Sequence, residues 1–377
     1  MNKIRLGLSI SLSGKYAIQG RESFEGISLW VKNTNSKGGI RLGKQGGQLP
    51  VELVYYDDES SADKCRRITE KLIADDRVDI LIGPYSSGHT LAAAEVAEGH
   101  RKVLWNHGGS SDEIFNKGFK YLVSTITPAS RYMAGIIEMV RKLDGEAKRI
   151  ALFSAKDSGF STSVASGAKE HALKNGFYVT EFKYLSGTKD LSSELCLLRE
   201  KDFDVILGVG RAEDDLALAE QILEEGIYAK AIGLVVAAIK EFKEALGEKA
   251  EGFLGPSQWE PGIGIKPDFG PTPREFFHEF KRAYGKEPDY TAAQGYNIGL
   301  IIQRCIEESQ TLDNLALREK ASELTFKTFY GDFKIEPSTG NQIAHRTVIV
   351  QWQGGVKYVV YPQELAERKP IYPRPKT

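Results

Sequence analysis

Twice along this chain, short apolar runs alternate with segments of helical spacing. That alternation restricts the fold more than any other feature. In the first series Ile4, Leu6 and Leu8 mark a strand. Glu22 to Asn33 then places Phe24, Ile27 and Val31 on one helical face, with Trp30 at its flank, and Gly38-Gly39 closes that piece. Val51 to Tyr56 is a strand ending in Asp57-Asp58, and Ser61 to Asp75 is a helix capped by Ser60 or Ser61. Val78 to Ile82 is a third strand, Leu91 to Glu98 an alanine-rich helix, and Val103 to Trp105 a short strand. The pattern restarts at Arg149 to Phe153, with helices over Ser161 to Asn175, Leu191 to Glu200 and Ala212 to Gly226. Strands over Tyr178 to Tyr184 and Val205 to Val209 separate those helices. Such β-α alternation predicts a parallel sheet with helices on both faces. Its repetition within 377 residues predicts two doubly wound α/β lobes. A helical stretch follows at Pro273 to Tyr284, with Phe276, Phe277, Phe280 and Tyr284 along one face, and another at Ala292 to Ser309. The tail from Phe329 to Tyr361 reads as strands and turns. No flexible linker separates the two series, which predicts lobes joined by several chain crossings.

Charge and composition exclude several classes. The 50 basic and 51 acidic residues leave a net charge of -1, with no electrostatic attraction to nucleic acid or to an anionic membrane. No apolar run approaches the roughly 18 residues that span a bilayer. Met1-Asn2-Lys3-Ile4-Arg5 leads directly into a strand, so no signal peptide is visible; the expectation is a cytoplasmic protein or one whose leader has been removed. Cys65, Cys196 and Cys305 are far apart and are expected as buried free thiols. The six histidines show no metal spacing, and neither metal nor cofactor is expected. A Gly-x-Ser-x-Gly elbow and a phosphate-binding loop are absent, and Gly208-Val209-Gly210 lacks the third glycine of a dinucleotide fingerprint. The chain is therefore not expected to be an enzyme.

Ligands of such sheets sit beyond the carboxyl ends of the strands. The loops at those ends are rich in glycine and small polar residues: 11–20, 83–90, 106–112, 154–160 and 208–211. The turn Gly83-Pro84-Tyr85-Ser86-Ser87-Gly88 puts Ser86 and Ser87 at a helix mouth, where unpaired N–H groups favour an anion such as a carboxylate.

The order and spacing of several short motifs resemble the type I periplasmic solute-binding proteins of the leucine/isoleucine/valine-binding type. These motifs are Leu12-Ser13-Gly14 with Ala17 and Gly20, Lys37-Gly38-Gly39-Ile40, Asp57-Asp58-Glu59, Leu72 to Val78 leading to Ile82-Gly83, and Pro288 to Tyr296. The resemblance covers nearly the whole chain. It implies a clamshell of two α/β lobes with three crossovers, closing on a small molecule delivered to the membrane permease subunits of an ABC importer. It also implies a monomer in the periplasm or at the cell surface. The lobes are expected at 1–124 with 255–330, and at 125–254 with 331–377. Hinge crossings are expected near Tyr121 to Thr127, Phe253 to Pro256 and Thr328 to Phe333.

The resemblance places the carboxylate-holding hydroxyl on Ser87, beside Ser86 of the helix mouth, and the next binding stretch on Gly108 and Ser110. Gln19 stands where the family often has an aromatic wall, with Tyr16 nearby as a substitute; Ser158 and Phe160 mark the corresponding place in the second lobe, and the loop at Arg211 again lacks an aromatic. Bland readings stand beside these. Ser87 suits a plain helix cap. His107 is either a donor to the ligand or a satisfied loop histidine. Arg211 is either an anion contact or a salt-bridge partner. Trp259 is either a pocket wall or core. Amino-acid binders of the family carry an acid after the strand matching Ala231-Ile232-Gly233, where this chain has Leu234-Val235-Val236. An unpaired buried ammonium would cost several kcal/mol. The expected ligand is thus an aromatic or aliphatic carboxylate without an amino group. The alternatives are a branched-chain or other amino acid, and a ligand sensor acting through a partner protein.

Overall fold

The computed structural model describes residues 3–43 and 47–375. The chain opens with β1 (Ile4–Ile10), α1 (Ala17–Ser36), a small ladder of β2 (Ile40–Arg41) with β3 (Gln48–Leu49), and β4 (Val51–Asp57). α2 (Ala62–Ala74), β5 (Ile80–Ile82), α3 (Ser87–Gly99), β6 (Leu104–Asn106), α4 (Asp112–Asn116) and β7 (Leu122–Ser124) follow. Their five parallel strands form one sheet in the order β4-β1-β5-β6-β7. Ile4, Leu6, Leu8 and Ile10 of β1 are all fully buried, as a central strand covered on both faces requires.

The second series runs α5 (Ala134–Leu143), β8 (Arg149–Ala155), α6 (Gly159–Lys174), β9 (Tyr178–Tyr184), α7 (Ser192–Glu200), β10 (Val205–Val209), α8 (Ala212–Glu224), β11 (Ala231–Leu234), α9 (Lys240–Leu246) and β12 (Leu254–Ser257). The chain continues through α10 (Pro273–Tyr284), α11 (Tyr290–Ser309), α12 (Asn314–Glu323), a hairpin of β13 (Phe326–Thr328) and β14 (Gly331–Phe333), β15 (Val348–Gln353) and β16 (Val356–Tyr361). The second sheet has the order β16-β15-β12-β11-β10-β8-β9; β15 pairs antiparallel with both β12 and β16, and the other pairings are parallel.

Two compact units result, 1–128 with 264–345 and 129–263 with 346–377. The chain passes between them three times. The expected divisions at 254/255 and 330/331 differ from these for a local reason at each place. β12 pairs with β11 and β15, which draws 255–257 into the second sheet. β14 pairs with β13, and His345 bonds Thr127 Oγ1 (2.6 Å) and the Tyr330 carbonyl (3.1 Å), which ties 331–345 to the first unit. The segments expected as hinges at 253–256 and 328–333 are consequently strand and hairpin.

Helix α10 begins with a capping box, Thr272 with Glu275, and Pro273 at its first position; Gly285 ends it in the left-handed conformation (φ 71°). Its Phe276 and Phe280 are fully buried. Helix α1 departs from its expected face. Its buried residues are Gly20, Ser23, Gly26, Ile27, Leu29, Trp30 and Thr34, while Phe24 is half-buried against Tyr55 (4.5 Å). The reason is the closeness of α11. A Cβ on Gly26 would lie 2.0 Å from the Ala292 carbonyl oxygen, and one on Gly295 would lie 2.1 Å from that of Ser23. Cys65 and Cys305 are buried, and burial pushes the Cys65 thiol up to about 12; Cys196, on α7, is exposed, contrary to expectation. Among the described residues no helix is long and apolar enough to cross a membrane, and no cluster of His, Cys, Asp and Glu could hold a metal ion.

Candidate functional site

In the first unit, two adjacent carboxylates at the end of β4 shape the loop after β1. Asp57 accepts from the amides of Leu12 (2.9 Å) and Glu59 (2.8 Å) and from the Ser13 hydroxyl (2.8 Å). Burial pushes its carboxyl up, but these donors outweigh that and hold it below the usual carboxylate range. Asp58 is fully buried and accepts from Ser9 Oγ (3.1 Å), Ser11 Oγ (2.5 Å) and the Ser60 amide (3.0 Å).

The loops after β5 and β6 are zipped together. Tyr85 and Gly108 form a parallel bridge, and a Cβ on Gly108 would lie 2.6 Å from the Pro84 carbonyl oxygen, so only glycine permits the approach. Asn106 is fully buried; its Oδ1 accepts from the amides of Gly108 (3.1 Å) and Gly109 (2.8 Å), and its Nδ2 donates to the Gly109 carbonyl (2.7 Å) and to Ser124 Oγ (3.2 Å). Ser86 caps α3 from a left-handed backbone (φ 81°), a costly conformation for a residue with a side chain. Its hydroxyl lies 2.8 Å from His89 Nδ1. Ser87 is half-buried, and its oxygen accepts the Ser111 amide (3.1 Å), which leaves its proton free to donate. Ser110 is 5% exposed, and its hydroxyl has no partner among the described residues. The structure therefore brings Ser86, Ser87, Gly108 and Ser110 together at the mouth of a 13-residue helix.

The other expected first-unit residues fall differently. His107 is fully buried with its Nε2 2.7 Å from Ser23 Oγ on α1, and burial pushes its pKa down to about 4. The ring is thus neutral near pH 7; its Nε2 meets α1, which favours the satisfied loop histidine of the two readings, while its Nδ1 is buried without a partner among the described residues. Gln19 sits half-buried in the first turn of α1, and its Oε1 is buried without a partner. Tyr16 meets Tyr85 (6.0 Å) and His89 (5.4 Å) edge-on, and the Tyr85 hydroxyl lies 3.1 Å from that of Tyr290. Neither Tyr85 nor Tyr290 stands among the site residues expected from the sequence. The signal available was the adjacency of Tyr85 to Ser86; the Tyr290 contact spans 205 residues and no local pattern carries it.

In the second unit, Ser158 caps α6 and accepts the Ser161 amide (3.4 Å). Phe160 is half-buried, edge-on to Tyr132 (5.5 Å), whose hydroxyl accepts from Gln258 Nε2 (2.8 Å). Arg211 is exposed at the start of α8, where its amide donates to Asp214 Oδ2 (3.0 Å). Its guanidinium makes no ion pair within 4 Å among the described residues. It adds weakly to the Ser186 amide and hydroxyl in holding the Asp157 carboxyl low. Trp259 is 1% exposed, which favours core over pocket wall.

Residues 235–238 form a short 3-10 turn with no acid, as expected. An acid lies beneath it nonetheless. Asp215 of α8 is fully buried, and its Oδ1 accepts the Gly210 amide at 2.6 Å. Its Oδ2 has no partner at hydrogen-bond distance. Burial pushes this carboxyl up to about 7, against the opposing pull of the Gly210, Val236 and Val235 amides. The carboxylate holds the ends of β10 and β11 from inside the unit. Its position on α8, twenty residues before the turn it supports, hid it from motif reading.

Comparison with known proteins agrees with this architecture. A family model described as "Periplasmic binding protein" matches residues 3–357. A "Leu/Ile/Val-binding protein homolog 8" of Brucella abortus is 26% identical over 385 residues, covering 97% of this chain and 92% of the relative. The branched-chain amino acid transporter substrate-binding protein LivJ from Streptococcus pneumoniae, solved with isoleucine, superposes with a TM-score of 0.77 at 22% identity over 96% of this chain and all of the other. The solute-binding protein of an ABC transporter from Rhodopseudomonas palustris, solved with 3,4-dihydroxy benzoic acid, gives 0.76 at 17% identity over 100% of this chain and 99% of the other. At those identities the two structures establish the shared fold.

Proposed function

This chain belongs to the periplasmic binding protein family and is a solute-binding protein of the ABC-transporter type, and from that premise we propose that it captures a small organic carboxylate lacking an α-amino group. The observation that carries the reading is the donor geometry at α3. The Ser87 hydroxyl has its oxygen occupied by Ser111 and its proton free; Ser110 contributes a second, unpartnered hydroxyl; and the helix start adds amide dipoles. The turn at 235–238 has no acid, and the nearby Asp215 is fully buried, with Oδ1 on the Gly210 amide and Oδ2 enclosed without a partner among the described residues. Within the first unit, the Tyr16–Tyr85 pair offers aromatic surface for the carbon skeleton.

Isothermal titration at neutral pH with leucine, isoleucine, benzoate and 4-methylpentanoate tests the reading. Binding of an acid without an amino group, and no binding of leucine, is the expected result. Micromolar leucine binding overturns it and favours the second reading, a branched-chain amino acid, which the names of the Brucella relative and the Streptococcus neighbour support. The proposed partners are the membrane permease subunits of an importer, acting in the periplasm or at the cell surface. Co-purification with those subunits supports transport over signalling through a partner protein.

A further inference from the structure

Ser86 and Ser87 are neighbours at the same helix mouth, yet their hydroxyls face opposite demands. Ser87 has its oxygen occupied by an amide and its proton free. Ser86 lies 2.8 Å from His89 Nδ1, and which atom donates depends on where the His89 ring carries its proton.

The surroundings decide this. His89 Nε2 lies 4.0 Å from Oδ1 of the fully buried Asp58, and the backbone of Ser60 is beside the ring. Nε2 itself makes no hydrogen bond among the described residues, but these acceptors are the polar groups on that side of the ring, which favours the proton on Nε2 and leaves Nδ1 as an acceptor. The groups around the ring are Asp58 at the end of β4, Lys15 and Tyr16 before α1, and Cys65 on α2, whose thiol reaches the His89 carbonyl. Burial holds the ring's pKa below the ordinary histidine value and keeps it neutral at pH 7. Asp58 in turn is pinned by Ser9, Ser11 and the Ser60 amide. Neutral His89 therefore draws the Ser86 proton inward, and the half-buried Ser86 oxygen keeps a lone pair for an outside donor.

We propose that His89 is a positioning residue that makes Ser86 an acceptor beside the donor Ser87, so that the first unit prefers carboxylates bearing an adjacent hydroxyl, such as 2-hydroxy acids, over the same acids without it. This rests on the carboxylate reading above and narrows it to a ligand class. The unpartnered Ser110 hydroxyl, 5% exposed and one residue before the amide that binds Ser87, supplies the second carboxylate donor that such a ligand needs. It also accounts for the left-handed backbone at Ser86, which sets the side chain between His89 and the helix start.

Calorimetry of the full chain at pH 7.5 compares 2-hydroxy-4-methylpentanoate with 4-methylpentanoate, and mandelate with phenylacetate. In at least one pair the hydroxy acid binds about three- to tenfold more tightly, the worth of one neutral hydrogen bond. Ser86→Ala and His89→Leu each bring that ratio to about one, whereas His89→Gln, whose amide oxygen can take the same proton, retains it. Equal affinities within both pairs overturn the inference and leave the carboxylate reading standing. Absence of binding by all four acids overturns both. A 15N spectrum of the ligand-free protein that places the His89 proton on Nδ1 overturns the inference by itself.

Discussion

Ser87 accepts from a backbone amide 24 residues away, the Ser111 N–H, and its own O–H proton remains available to donate. Ser87→Ala should weaken carboxylate binding by about 1–3 kcal/mol, the usual worth of a hydrogen bond to a charged group. Calorimetry with the tightest-binding acid measures it, and parental affinity in the variant excludes the assignment. His107 carries a different prediction. Its pKa falls from 6.5 to about 4 because the folded protein buries the ring, so the fold favours the neutral form. Its contribution to stability is complete above 6.5 and is lost as pH falls toward 4, amounting to about 2 kcal/mol by pH 5. Urea denaturation at pH 7.5 and 5.0 should show a smaller drop in midpoint for His107→Gln than for the parent; equal drops would remove His107 as the cause. At this scale the helix mouth at Ser86 and Ser87 was legible, because hydroxyls before a helix have few other uses. The state of each hydroxyl was not, because it depends on His89, Asp58 and Ser111, which only folding brings near.

Among the elements, α10 shows how far local pattern reaches. Its cap, its proline, its phenylalanine stripe and its terminal glycine all lie within 14 residues, from Thr272 to Gly285, and all agree. Helix α1 shows where pattern stops. Its buried face includes Ser23 and Gly26, where α11 approaches to backbone contact, and Gly20, where a Cβ would lie 1.9 Å from the Ser11 carbonyl oxygen, residues that a hydrophobic stripe does not flag. Gly26→Ala should force the two helices apart and cost about 1–3 kcal/mol, as overpacking does. The melting temperature should fall, and an unchanged or raised value would show that the contact can relax. Asp215 belongs to this scale too. A helix residue determines where two strand ends stand, through the amide of Gly210 and the turn at 235–236.

The whole molecule has a chain path that contiguous fragments cannot reproduce. β12 pairs with β15, and Trp352 Nε1 donates to the Ala237 carbonyl (2.8 Å), so the second unit is completed by residues 346–377. A fragment of residues 129–263 should therefore fail to unfold cooperatively, its β12 edge and the floor under the 235–238 turn being uncovered. A sharp thermal transition and a dispersed amide spectrum from that fragment would contradict this.

Sequence alone determined the α/β class, the two-fold repetition of the strand–helix pattern, the strand-end loops and the anion-ready turn. These follow from periodicity, capping and turn chemistry, which act over a few residues. The tertiary structure decided where the units divide, that His107 and Trp259 are buried, and that an acid supports the 235–238 turn from within. It also decided how the hydroxyls of Ser86 and Ser87 are oriented. Each of those depends on groups distant in sequence that burial brings within hydrogen-bonding range, where the low local polarity makes every donor and acceptor find a partner or stand out for lacking one.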